Sequence, residues 1–491
     1  MCCLASARGS ARETPHETTA RLTPSREDAH TACPVTSPQN ELYVVGNRVV
    51  CEGAIVPKAI HVVSGKIRAL VDREAVPPGA PVLDAGDLVI MAGIVDTHVH
   101  INDPGRDSWE GFDTATRAAA KGGVTCLVDM PLNSIPSTIS LEALHAKAKA
   151  LEGRAFVDVG LTGGVVPSNP GALADLFREG VLAFKCFLAE SGVSEFSHVN
   201  EDELRRGMRI LSDVGAPLFV HAELPEPLSA AEKATKGLDP RAYATFLASR
   251  PRSAEDAAVE MVVKLSAETR ARAHVVHLSS SDALPTVLRA KEAGIPFSAE
   301  TCPHYLSFAS EDIVDGATAF KCCPPVRERE NQDKLWEALK KGILDQVVTD
   351  HSPSTIDLKC SDSGDFMRAW GGISSLQIGL SAVWTRAKTL GFSLVDLSRI
   401  MSEAPARLVG LEGRKGKIAP GYDADLCFFD PEGDFSVAAL ELEHKNKITP
   451  YEGRRLSGRV VRTMLRGETV FEEGQSLGRP HGGWVTRSER R

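Results

Sequence analysis

The sequence predicts an α/β fold, a (β/α)8 TIM-like barrel with a small β-sandwich domain formed from both termini. Three observations predict it. Eight short apolar runs, near residues 94, 124, 156, 182, 217, 273, 296 and 346, alternate with segments such as 201–214 and 255–268 whose apolar residues recur every three or four positions. The runs lack the polar alternation of a half-exposed strand, as expected for a parallel sheet covered on its outer face. Short strand-like stretches with turn residues flank this alternation on both sides.

Taken in order, residues 1–40 are rich in Ser, Thr, Pro, Arg and Glu and are expected to form a disordered N-terminal extension. They hold no continuous apolar core of a secretory signal, and Glu13, Glu17, Glu27 and Asp28 make a poor organelle transit peptide, although organellar targeting stays open. Residues 41–93 read as strands at 41–45, 48–52, 59–63, 66–70 and 83–90, and the same texture returns within 407–474, at 416–429 and 460–467. These two segments are predicted to pair into one β-sandwich of structural rather than catalytic role. Between them, 94–406 is the catalytic barrel, somewhat longer than the ~250 residues typical of the fold. Residues 475–491 are expected to form a second disordered extension, the C-terminal tail.

Composition narrows the function classes. With 491 residues, 43% of them hydrophobic, the chain can bury one large core. No apolar run approaches the roughly 20 residues that span a bilayer. A net charge of −9 leaves no basic footprint for nucleic acid. The 11 cysteines are odd in number, scattered and free of Cys-x-x-Cys spacing, which favours a reducing compartment and a cytoplasmic location.

The chemistry begins at Val95-Asp96-Thr97-His98-Val99-His100, which closes the first barrel run. Side chains at i and i+2 of a strand share a side, so His98 and His100 can converge on one cation. Alone, the pair is a weak signal, more often two satisfied or exposed strand histidines than a metal site. Further runs end in Lys185, His221, His277 and Asp350. In a barrel all of these fall at the carboxyl ends of the strands, where catalytic groups sit. Lys185, within Ala-Phe-Lys-Cys-Phe, would be a buried charge of lowered pKa. Either an ion pair with Asp350 or another acid compensates it, or the neutral amine has reacted with carbon dioxide to give a carbamate able to bridge two cations. Two cations sharing a water would activate it toward a polarised carbonyl, with Asp350 moving the proton, which implies hydrolysis of an amide-like bond.

Several longer motifs accompany these residues: Asp-Thr-His-Val-His-Ile-Asn-Asp-Pro-Gly-Arg (96–106), Trp109-Glu110-Gly111-Phe112, Met130-Pro131-Leu132-Asn133-Ser134, Phe184-Lys185-Cys186-Phe187, Glu300-Thr301-Cys302-Pro303-His304-Tyr305-Leu306, Asp350-His351-Ser352-Pro353 and Trp370-Gly371-Gly372-Ile373. By them the chain resembles, from about Leu42 to Val470, the cyclic amidohydrolases of the metal-dependent amidohydrolase superfamily. The resemblance implies that His98, His100, His221, His277 and Asp350 are metal ligands, that Lys185 is an N6-carboxylysine bridge, and that Asp350 is the catalytic proton carrier. It implies two divalent cations per subunit, zinc first, with cobalt, manganese or iron as alternatives. It also implies a small-molecule substrate and a homo-oligomer, dimer or tetramer, by analogy.

Single positions separate the relatives. Dihydroorotases typically carry an arginine at the place of Asn102, and hydantoinases and dihydropyrimidinases a tyrosine at the place of Glu190. Both departures look like the branch that opens the hydantoin ring of allantoin to allantoate in purine catabolism. The alternatives are another cyclic amidohydrolase, hydantoinase-like, dihydropyrimidinase-like or dihydroorotase-like, and a non-enzymatic scaffold, although such scaffolds usually lose ligands. Asn133, Ser191, Ser298, His304 and backbone near 322–325 are candidate substrate contacts, and Arg106 and Trp109 candidate mouth residues. Each reads equally well as a loop, capping or core residue.

Overall fold

A computed structural model describes residues 41–487, so the expected N-terminal extension lies outside the described residues. Five strands come first: β1 (Glu41–Cys51), β2 (Ala54–Val63), β3 (Lys66–Val71), β4 (Val82–Asp84) and β5 (Val89–Ala92). Eight more follow: β6 (Ile94–Val99), β7 (Val124–Asp129), β8 (Asp158–Gly164), β9 (Ala183–Phe187), β10 (Pro217–His221), β11 (Arg272–Val275), β12 (Phe297–Thr301) and β13 (Gln346–Val347). The described chain ends on β14 (Leu426–Ser436), β15 (Arg455–Leu465) and β16 (Glu468–Glu472).

Strands β6 to β13 pair in chain order, each parallel to the next, and coincide with the eight apolar runs of the sequence. The ring closes where the His100 amide donates to His351 O at 2.8 Å. Every residue of β6 to β10 is buried, and apolar side chains and glycines predominate among them, as a parallel sheet covered on both faces requires. The closed ladder leaves the polar strand ends no freedom but to face one another across the barrel mouth.

The flanking strands run in the order β16-β15-β14-β5-β1-β2-β3, with β4 beside β1, and so join both ends of the described chain in a β-sandwich. Strand β5 is antiparallel to β14 and leads through Gly93 directly into β6. A Cβ at Gly93 would lie 2.1 Å from Thr125 Oγ1, so only glycine lets the chain pass this close to β7.

A buried ion cluster stitches sandwich to barrel. The Lys415 ammonium lies 2.7 Å from Asp158 on β8, 2.8 Å from Asp423 and 2.6 Å from Asp425. Arg466 also pairs with Asp158, and Lys66 and Arg414 with Asp423. Burial works against the Lys415 charge, yet the surrounding carboxylates raise its pKa above the usual lysine value. The three aspartates converge closely enough to hold a cation, and the ammonium is the cation they hold.

Within the tail expected to be disordered, residues 482–487 are docked, which corrects the sequence reading for that stretch, while 488–491 lie outside the described residues. Gly482 donates to Ala155 O, Val159 donates to Gly483 O, and Val485 donates to Val159 O, each at 2.9 Å. Val485 is buried, and the Arg487 guanidinium bonds Val181 O at 2.6 Å and stacks on Phe177. The cause is a stagger: β9 pairs with β8 only from Thr162 onward, which leaves the backbone at Val159 open at the amino end of β8. Deleting residues 480–491 is therefore expected to lower stability by about 2 kcal/mol, read as a urea midpoint shift, through lost Val485 burial and backbone bonds. An unchanged midpoint would show the docking to be inconsequential.

Candidate metal centre

His98 and His100 leave the end of β6 on one side, as the i, i+2 spacing requires. His98 Nδ1–H donates to Glu300 Oε1 at 2.8 Å, which turns Nε2 inward, 3.2 Å from Asp350 Oδ1 and 3.3 Å from Lys185 Nζ. His100 Nε2 stands 3.6 Å from the same Asp350 oxygen. His221, ending β10, gives Nε2–H to Glu223 Oε2 at 2.8 Å, so its Nδ1 faces His277 Nε2 at 3.0 Å. The His98 and His277 rings lie 5.4 Å apart, joining the two halves into one cluster. All six predicted residues thus meet at one end of the barrel.

Two of them are held in an uncommon backbone conformation. His277 has φ 41° and Asp350 φ 44°, left-handed values that non-glycine residues adopt at a cost of about 1–3 kcal/mol. The sharp turn each makes just past its strand swings the side chain back over the barrel mouth, which a continuing strand would not do.

Electrostatics suit neutral ligands. Burial, reinforced by neighbouring cationic groups, lowers the pKa of His98 and His277, and burial outweighs the pull of Glu223 to lower that of His221, keeping the imidazoles in the form that offers a lone pair. Burial also brings Lys185 down to about 8, against the pull of Asp350 and Glu300. Lys185 Nζ makes no ion pair among the described residues and has His98 Nε2 as its hydrogen-bond partner. Of the two compensations open from sequence, the ion pair is therefore not formed. Four dehydrated imidazoles and one carboxylate with converging lone pairs fit a divalent metal ion, and His98, His100 and Asp350 bring their ligand atoms within 4.8 Å of one another.

Above the cluster opens a cleft of about 260 Å³. Asn133 and Ser191 line it, as do Arg250, Lys321, Cys323 and Trp370. Asn133 Oδ1 is buried without a partner among the described residues, an open acceptor at the cleft wall, whereas the Ser191 hydroxyl is spent on Phe196 O at 2.6 Å. Two expected contacts do not reach the cleft. Ser298 sits deeper on β12, its Oγ 2.7 Å from His274 Nδ1, because the strand's last turn inward is taken by Glu300. His304 is fully buried on the helical turn after β12, edge-on to Tyr305 at 4.2 Å. At the mouth Trp109 packs on Trp370 with ring centroids 5.0 Å apart, and Arg106 covers Trp109 while pairing with Glu195. Lys359 holds the Trp370 and Gly372 carbonyls from below.

Sequence reasoning did not single out Glu223, Arg250, Lys321 or Lys359. A faint signal was present in His221-Ala222-Glu223, where the i, i+2 spacing places an acid beside a ligand.

The sequence profile of the amidohydrolase family matches residues 89–470. An allantoinase of Streptomyces avermitilis is 50% identical over 436 residues, covering 89% of this chain and 96% of its own length. An allantoinase of Arabidopsis thaliana is 41% identical over 456 residues, 89% of each chain. Among solved structures, the L-hydantoinase from Arthrobacter aurescens superposes with a TM-score of 0.86 at 31% identity, over 91% of this chain and 100% of its own.

Proposed function

The chain belongs to the amidohydrolase family, and from that premise we propose how its cleft works. It is a hydrolase of cyclic amides that opens the hydantoin ring of allantoin to allantoate in purine catabolism. The observation that carries the mechanism is the meeting of His98, His100, Lys185, His221, His277 and Asp350 on the cleft floor.

In this reading the four histidines and Asp350 would hold two divalent cations, zinc first and cobalt, manganese or iron as alternatives, with a carboxylated Lys185 as the ligand the two would share. The Lys185 nitrogen bonds the carbon of carbon dioxide and releases one proton to solvent, giving a carbamate anion. Its burial favours the neutral amine this requires. When bound, the cations supply an acidified water and polarise the ring carbonyl. Asp350 takes the proton from the attacking water as its oxygen bonds the carbonyl carbon, then delivers it to the ring nitrogen as the carbon–nitrogen bond breaks. Asn133 Oδ1, without a donor among the described residues, accepts a substrate N–H.

Asp350→Asn is expected to retain metal while lowering kcat by about 10²-fold or more. Wild-type turnover in that variant would remove Asp350 as proton carrier. The substrate is tested by comparing kcat/KM for allantoin, hydantoin, dihydrouracil and dihydroorotate. Allantoin should lead, and preference for any of the others would replace this reading with a hydantoinase-like, dihydropyrimidinase-like or dihydroorotase-like one. Assembly as a dimer or tetramer in the cytoplasm completes the proposal. The odd, scattered cysteines support a reducing compartment, and light scattering of the purified protein gives the subunit number.

A further inference from the structure

Two buried carboxylates lie behind the cluster, each on a different histidine. Glu300, fully buried on β12, accepts from His98 Nδ1 at 2.8 Å through Oε1. Its other oxygen accepts from His274 Nε2 at 2.8 Å and Gln346 Nε2 at 2.9 Å. Gln346 also reaches Thr97 Oγ1 at 3.0 Å, so the carboxylate is fixed by three neighbouring strands. Glu223, fully buried after β10, accepts from His221 Nε2 at 2.8 Å and is clamped by Arg250 through both Nε and a terminal nitrogen.

The two contacts have opposite chemistry at the ring. Donation from Nδ1 leaves His98 its Nε2 lone pair, whereas donation from Nε2 leaves His221 its Nδ1 lone pair. The two exposed lone pairs belong to separate halves of the cluster. His98 faces Asp350 together with His100, while His221 faces His277. No matching carboxylate serves the other two ligands, since His100 Nδ1 and His277 Nδ1 have no partner among the described residues.

We infer that Glu300 and Glu223 are positioning residues, each fixing the tautomer and orientation of one histidine and thereby the affinity of one of the two cations. The inference rests on the two-cation reading above. Replacing either acid by glutamine keeps its shape but lets the amide present an N–H to the ring, so the imidazole loses its obligatory acceptor and its lone pair is no longer held toward the cluster. Arg250 gives Glu223 a charged clamp that Glu300 lacks, so the two substitutions report on independent environments.

The test is metal content by elemental analysis of purified wild type, Glu300→Gln and Glu223→Gln after graded dialysis against a chelator, with the visible spectrum of the cobalt-loaded proteins and thermal melting recorded alongside. Wild type should hold two equivalents per chain. Each folded variant should lose one equivalent at chelator concentrations 10–100-fold lower while keeping the other. The residual cobalt spectra should differ between the variants, because a different histidine pair remains in each. Glu300→Asp, which keeps the negative charge, should retain part of the affinity that Glu300→Gln loses. Two tightly held equivalents in both glutamine variants would overturn the inference while leaving the two-cation reading intact, whereas fewer than two in wild type would overturn that reading and the inference with it. Should one variant not fold, the other alone decides, since each acid serves its own histidine.

Discussion

Replacing Lys185 by alanine is expected to lower kcat by about 10³-fold or more and to leave the protein unable to hold two cations. The side chain sits at the centre of the cluster, 3.3 Å from His98 Nε2, and is completely buried without an ion pair among the described residues. A plain ammonium there would repel cations and be costly to desolvate. A carbamate reverses the sign of that charge, and its two oxygens give the halves of the cluster a common ligand. Alanine leaves a void of roughly the size of a short carboxylic acid, so added acetate or propionate should restore part of the turnover in proportion to its concentration. Near-normal activity in the unsupplemented variant would refute the carbamate role. Full loss of metal with no rescue would still agree with a bridging ligand, but rescue ties the loss to the missing carboxylate. Melting temperature serves as the control, since a cluster emptied of its cations also forfeits whatever stability their binding lends.

Lys415→Met is expected to destabilise the protein by about 3–5 kcal/mol without changing kcat per folded molecule. The ammonium is within 2.8 Å of three buried aspartates, and the side chains of Arg466, Lys66 and Arg414 pair with only two of them, Asp425 keeping just the Arg466 amide as a further donor. Asp425 therefore loses its sole ion-pair partner among the described residues. Methionine fills the space but leaves an uncompensated negative charge at the joint of barrel and sandwich. Urea unfolding measures the loss, and a double change of Lys415→Met with Asp425→Asn should recover part of it because the stranded charge is removed. A stability within 1 kcal/mol of wild type would mean that the aspartates take up protons or water at little cost.

The architecture was legible in the sequence because a closed parallel barrel imprints itself strongly. Strands such as Val124–Asp129 and Pro217–His221 must be apolar on both faces, so they stand out against the amphipathic helices between them. The six ligands were legible for the same reason, as polar residues at the ends of otherwise apolar runs. What escaped notice depends on long-range contact. Glu300 lies inside a quoted motif, yet nothing local says that its carboxylate reaches a histidine 202 positions earlier. Ser298 was misplaced because strand periodicity gives the side a residue faces but not its depth, and depth decides between cleft and barrel floor. Residues 480–487 hold Gly, His, Arg and Thr around a lone Trp484-Val485, too weak a pattern to read as ordered, and only the open backbone at Val159 makes them so.

That last docking has a practical side. Because Gly482–Val485 lie against the amino end of β8 while the cleft opens at the opposite, carboxyl ends of the strands, the two features point away from each other. Enzyme tethered to a bead or electrode through its C-terminal end would stand with its entrance toward the bulk liquid, and its KM for a diffusing substrate should match that of untethered protein. Attachment through lysines scattered over the surface would orient molecules at random and hide a share of the entrances, lowering apparent activity per molecule bound.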